Sequence, residues 1–185
     1  MELIILGSGG ATTISRPGCK CRVCVEARVK GAPYARSSAS MYISEVNLLF
    51  DTPEEIAFQL NREGINDVDY IFYSHWHPDH TLGLRIVEKM YKFWLGRFVR
   101  GDKQAKKVKV CALAKVMMDL ENKYGDFLDY YKRLGLIETI DLENAAPFHV
   151  GNYYITPFEV SGSYVVSTVF LIKHEEKKSF MHRAM

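Results

Sequence analysis

Ser74-His75-Trp76-His77-Pro78-Asp79-His80 places four metal-capable side chains, His75, His77, Asp79 and His80, within six residues. The stretch follows Asp67-Val68-Asp69-Tyr70-Ile71-Phe72-Tyr73, a short apolar run that reads as a strand. The ground just beyond a strand's carboxyl end is where α/β folds gather their chemistry. Two histidines two positions apart on extended backbone point the same way. Asp79 and His80 supply a second pair, while Pro78 is expected to keep the segment from continuing as helix. Three imidazoles and a carboxylate packed beyond an apolar strand are costly to desolvate unless a cation compensates them. The motif therefore reads as metal-binding. Two divalent ions roughly 3.5 to 4 Å apart can hold a bridging water, bring its pKa near neutrality and clamp the oxygens of a displaced ester. That chemistry predicts a hydrolase without a side-chain nucleophile, in which Asp79 and His80 are catalytic as well as metal-binding. Such ligands suit zinc, manganese or iron.

Outward from the motif the chain alternates strands and helices. Leu3-Ile4-Ile5-Leu6 runs as a strand into Gly7-Ser8-Gly9-Gly10, which matches neither a dinucleotide nor a phosphate-loop fingerprint. Residues 11–40 read as a long loop. Residues 39–44 and 47–53 form a predicted hairpin, and Asp51-Thr52-Pro53-Glu54-Glu55 opens a helix on Ile56, Leu60 and Ile65. Asp51 has two readings, a carboxylate that orients an imidazole from behind or a helix N-cap. A helix is expected over 82–98 from Leu82, Leu84, Val87, Tyr91, Trp94 and Phe98. A strand at 108–113, a helix at 114–134 and strands at 136–141, 153–160 and 164–172 complete the series. Trp76 reads as packing, and the basic stretch 97–109 as solvated surface.

Three of the four cysteines fall within Cys19-Lys20-Cys21-Arg22-Val23-Cys24. Thiolates so spaced can converge on one soft cation, whereas a disulfide between such close neighbours is strained, so a structural zinc is a better reading than a redox pair or inert thiols. Cys111 lies in an apolar run and reads as a small buried hydrophobe.

The 185 residues are 48% hydrophobic and 25% charged, enough to bury one core, and a formal charge of +2 gives no reason to expect a nucleic-acid or membrane partner. No apolar run approaches the roughly 18 residues of a spanning helix. A single cytoplasmic domain over 1–185 is expected.

His75-x-His77-x-Asp79-His80 after a hydrophobic strand resembles the signature of the metallo-β-lactamase superfamily. Leu6-Gly7-Ser8-Gly9-Gly10, Cys19-x-Cys21-x-x-Cys24 and Asp51-Thr52-Pro53 are similar to the branch containing the phosphodiesterase of the carbon-phosphorus lyase pathway. The resemblance implies an αββα sandwich, a structural zinc on the cysteines, and a small phosphodiester substrate attacked by a metal-bound hydroxide. It also implies a metal-binding histidine after a strand such as Ile155–Val160, where Ser161-Gly162-Ser163 stands instead, and a later aspartate, although none follows Asp141. His149, His174 and His182 are the histidines left to substitute. The chain thus reads as short at its C-terminus, with the second half of the sandwich incomplete. A rival reading follows: a metal-binding or assembly module impaired in catalysis, or a fragment completed by another chain, whose exposed sheet would favour a homo-oligomer.

Overall fold

The structure is a computed structural model that describes residues 2–91, 106–162, 164–175 and, by backbone alone, 177–183. β1 (Leu3–Gly7), β2 (Ser40–Ile43), β3 (Leu48–Phe50), β4 (Tyr70–Phe72), β5 (Val108–Leu113) and β6 (Ile137–Leu142) form one sheet in that order. The β1, β2 and β3 pairings are antiparallel and the β3 to β6 pairings parallel. A second, antiparallel sheet carries β7 (Phe148–Val150), β8 (Tyr153–Ser161), β9 (Val166–His174) and β10 (Lys177–Arg183). The helices are α1 (Arg22–Lys30), α2 (Ile56–Arg62), α3 (Pro78–Thr81), α4 (Ile86–Tyr91) and α5 (Ala114–Arg133). Among the described residues every helix precedes β7, so the second half of the fold is strands alone.

The parallel strands carry continuous apolar runs because both their faces are covered. Leu48, Leu49, Phe50, Ile71, Phe72, Val110 and Cys111 are fully buried. One face is shielded by α5, which buries Val116, Met117, Leu120, Leu128 and Tyr131. The other face meets the second sheet, where Phe170 inserts between Phe50 and Phe72 at ring-centroid distances of 5.2 and 5.6 Å. Phe148 adds an edge-on contact to Phe72 at 5.8 Å. Offset and edge-to-face rings of this kind add about 0.5–1.5 kcal/mol per pair beyond area burial, and they lock the two sheets together directly beneath the histidine motif.

Several elements differ from the sequence reading. The expected loop over 11–40 contains α1, which the cysteines and glycines obscure. Its successive turns are bridged on the surface by the Arg22–Glu26 and Glu26–Lys30 pairs, and it stops at Gly31 with φ 66°. Pro78 does not forbid helix. It occupies the first turn of α3, where its missing N–H costs nothing. The helix expected over 82–98 begins as a 3-10 turn, Leu82–Arg85, before α4, and residues 92–98 lie outside the described residues. The expected helix at 114–134 is broken at Tyr124 (φ −132°, ψ 21°). Of the basic stretch 97–109, the described part behaves as surface: Lys106 bridges Asp67 and Asp69 at 2.7 and 2.6 Å.

Candidate metal centre

The parallel strands set the site. β3 and β4 run side by side, so Asp51 at the end of one and Ser74 beyond the end of the other face each other. Asp51 takes a left-handed backbone (φ 58°), uncommon for a residue with a Cβ though least so for Asp and Asn. Its N–H still donates to the Phe72 carbonyl at 3.0 Å. The kink aims the carboxylate inward, where it is almost fully buried. It accepts three hydrogen bonds: from the Ser74 N–H at 2.8 Å, the Ser74 hydroxyl at 2.7 Å and His80 Nδ1 at 2.8 Å.

These bonds assign the imidazoles. His80 donates through Nδ1, so its Nε2 carries the free lone pair. The Ser74 hydroxyl is spent on Asp51 and therefore accepts from His75 Nδ1 at 3.0 Å, which leaves His75 Nε2 free as well. That nitrogen lies 3.2 Å from His77 Nδ1. Two nitrogens bound to one tetrahedral zinc at 2.0–2.1 Å sit about 3.3 Å apart, so the spacing fits two ligands of a shared cation. Asp79 Oδ2 and His80 Nε2 form a second pair at 3.3 Å. Burial, and after it the neighbouring His80, push the His75 pKa down to about 4, which keeps the ring neutral and able to ligate at neutral pH. Burial works to lower the His80 pKa, but the hydrogen bond and charge of Asp51 outweigh it and raise the value. Burial likewise opposes ionisation of Asp51, and His80 and Ser74 outweigh it, holding that carboxyl below its usual range.

The motif is braced from below. Thr52 N–H donates to the His80 carbonyl at 2.7 Å, Gly83 N–H donates to the Thr52 carbonyl at 2.8 Å, and the Thr52 and Tyr73 hydroxyls meet at 2.6 Å. A Cβ on Gly83 would lie 2.1 Å from the Pro53 carbonyl, so only glycine lets the motif turn pack this closely on the β3 end. Strand β9 closes the other side, with the Thr168 N–H on the Ser74 carbonyl at 2.8 Å.

The sequence-derived residues fall into two places. His75, His77, Asp79, His80 and Asp51 are brought together. Asp51 is no N-cap, since α2 starts from Glu55 without a side-chain cap. Cys19, Cys21 and Cys24 gather separately, their sulfurs all within 4.8 Å of one another. Among the described residues they are the one group of three such donors this close; the motif donors are gathered in twos. Arg28 fastens the cysteine loop by donating to the carbonyls of Arg16 and Cys19. All four cysteines are free of disulfides. Cys111 is buried in the core and far from ionising, its pKa pushed up to about 12 by burial. His149 is exposed on β7 and meets the Tyr154 ring edge-on, and His174 ends β9 against Tyr153. His182 lies one residue from the end of β10, the edge strand of the second sheet, in register with Phe170 of β9. The left-handed Asp51, Ser74 as the link to His75 and the Gly83 contact escaped the sequence reading, because each depends on two strands lying side by side.

The family model of the beta-lactamase superfamily domain matches residues 46–182, most of the chain. The chain belongs to the metallo-β-lactamase superfamily. Among solved structures it is similar to a diphosphatase from the PhnP family, with a TM-score of 0.67 at 24% identity over 92% of this chain and 61% of that one. It is also similar to Zn(2+)-bound PqqB from Methylobacterium extorquens, with a TM-score of 0.71 at 12% identity over 98% and 64%. The metallo-beta-lactamase fold protein YhfI from Bacillus subtilis gives a TM-score of 0.60 at 14% identity over 97% and 60%. The chain therefore spans about three fifths of the length of these proteins. An octanoyltransferase from Porphyromonas gingivalis is 33% identical over 87 residues, 45% of this chain but 17% of that protein. Among the described residues no helix is long and apolar enough to cross a membrane.

Proposed function

We propose that the protein is a metal-dependent phosphodiesterase whose working site is the His75, His77, Asp79 and His80 cluster. The observation that carries the reading is the pair of donor sets, His75 Nε2 with His77 Nδ1 at 3.2 Å and Asp79 Oδ2 with His80 Nε2 at 3.3 Å. Bound divalent metal would supply water activation and neutralisation of phosphate charge at this site. The chain's own residues prepare the place. Ser74 and Asp51 hold His75 and His80 with their free nitrogens outward, and burial keeps His75 neutral. Zinc is the metal the imidazole-rich set suits first, with manganese or iron as alternatives. Cys19, Cys21 and Cys24 would hold a separate zinc that shapes the α1 loop and takes no part in the reaction.

A second reading is favoured by one observation. Each donor pair gives a cation two protein ligands among the described residues, fewer than the three typical of a catalytic zinc. A module that binds metal without turnover, or one completed by another chain, fits that count. The test is hydrolysis of bis(p-nitrophenyl) phosphate by the metal-reloaded protein, beside His75→Ala/His77→Ala. Metal-dependent release of p-nitrophenol that the double variant loses supports the phosphodiesterase. Full metal loading with no release supports the module.

A further inference from the structure

Trp76, between His75 and His77, does more than pack. Its ring lies 4.7 Å from the His77 ring, and its carbonyl accepts from the Thr81 hydroxyl at 3.1 Å and the Tyr124 hydroxyl at 3.4 Å. The second of those bonds ties the break in α5 to the histidine motif. Because Tyr124 leaves helical backbone, the chain before it is turned so that the Lys123 ammonium sits 5.1 Å over the Trp76 ring. Lys123 is exposed and, among the described residues, forms no ion pair. Beside it a cleft of about 520 Å³ opens between Leu82 and residues 121–127, within the size range of small-molecule sites. Glu121, on the same cleft, is engaged by Lys132 at 3.3 Å, which leaves Asp126 as the other acid there.

We propose that this cleft receives the non-reacting arm of the substrate and that Lys123, steadied on Trp76, recognises a second anionic group carried by that arm. The proposal rests on the phosphodiesterase reading and narrows it to diesters bearing two anionic groups. An ammonium held over an aromatic face loses less freedom on meeting an anion than a solvated lysine would. The Lys123 ammonium lies 5.1 Å from the centre of the Trp76 ring, and that ring 4.7 Å from the His77 ring, so two contacts lead from the charge to the histidine pair. Lys123 is a positioning residue for binding: its removal raises KM for the doubly charged ester and spares kcat.

The experiment pairs two ligands that differ by one phosphate. Calorimetry on the metal-loaded protein compares thymidine 5′-phosphate with thymidine 3′,5′-bisphosphate, and turnover compares the corresponding 5′-(p-nitrophenyl) esters with and without the 3′-phosphate. The wild-type protein is expected to bind the bisphosphate about tenfold tighter. Lys123→Ala is expected to abolish that preference, Lys123→Arg to keep it, and Arg133→Ala, a charge lost elsewhere on α5, to leave it intact. Equal affinities in the wild type, no binding of either nucleotide, or a preference that survives Lys123→Ala overturns the proposal. Absent turnover with a Lys123-dependent preference defeats the hydrolase reading alone.

Discussion

Asp51 organises the site through three hydrogen bonds that an isosteric amide cannot reproduce. An asparagine has one acceptor oxygen, and its NH2 would face the Ser74 hydroxyl and His80 Nδ1. His80 would be driven to protonate on Nε2, the nitrogen that now faces Asp79. Asp51→Asn is therefore expected to weaken metal binding at the motif about 10- to 100-fold, the usual cost of losing a carboxylate behind a metal-binding histidine, while zinc at the cysteines is retained. Competitive titration against a chromophoric chelator measures both. The pair also sets a pH signature in the metal-free protein. Asp51 has a lowered pKa, so its stabilisation is present above about 3.9, the unfolded value, and is lost as pH falls through its folded pKa. His80 has a raised pKa, so its contribution is full below about 6.5 and is lost as pH rises through its folded value. Urea unfolding is expected to show greatest benefit from the pair between about pH 4 and 6.5, and Asp51→Asn to flatten that maximum.

At the scale of elements, α3 and the turn behind it depend on close backbone approach. Gly83→Ala must displace the Pro53 carbonyl and Ile56, a shift rather than a cavity, and overpacking of this kind costs about 1–3 kcal/mol. Thermal unfolding should show it, together with weakened motif metal binding, because Thr52 contacts both Gly83 and His80. The α1 element depends on the cysteines in another way. Cys24 is buried in the first turns of α1 and Cys21 is its N-cap position without a capping side chain, so a cation shared by the thiolates would add to the few hydrogen bonds from Arg28 and Arg16 that hold this end. Cys24→Ser, or chelation at neutral pH, is expected to expose the α1 loop to proteolysis near residues 16–36 while the sheet strands stay protected from hydrogen exchange. The elements were legible where one residue pattern dominated, as in the apolar runs of β4 and β5 and the helical spacing of α5. They were illegible where small and basic residues hid α1, whose stabilising pairs are charges rather than an apolar stripe. Pro78 misled because the same ring that interrupts a helix also begins one. The motif ligands stood out by type and spacing alone, whereas Asp51 had two readings until β3 and β4 were known to be neighbours.

At the scale of the molecule, two sheets lock over a cluster of phenylalanines, and the motif sits at the carboxyl ends of the parallel strands, where loops from β3 and β4 converge. The family match covers residues 46–182, so the superfamily is fixed by most of the chain, while the length shared with solved relatives stops at about three fifths of theirs. On this reading the motif binds metal independently of the cysteines. Metal content per chain, by elemental analysis of protein purified without added metal, tests it most directly when His75→Ala/His77→Ala is measured alongside. Two or more metals per chain are expected in the wild type, with only the cysteine-bound zinc left in the double variant. One zinc per chain, unchanged in the variant, would contradict it.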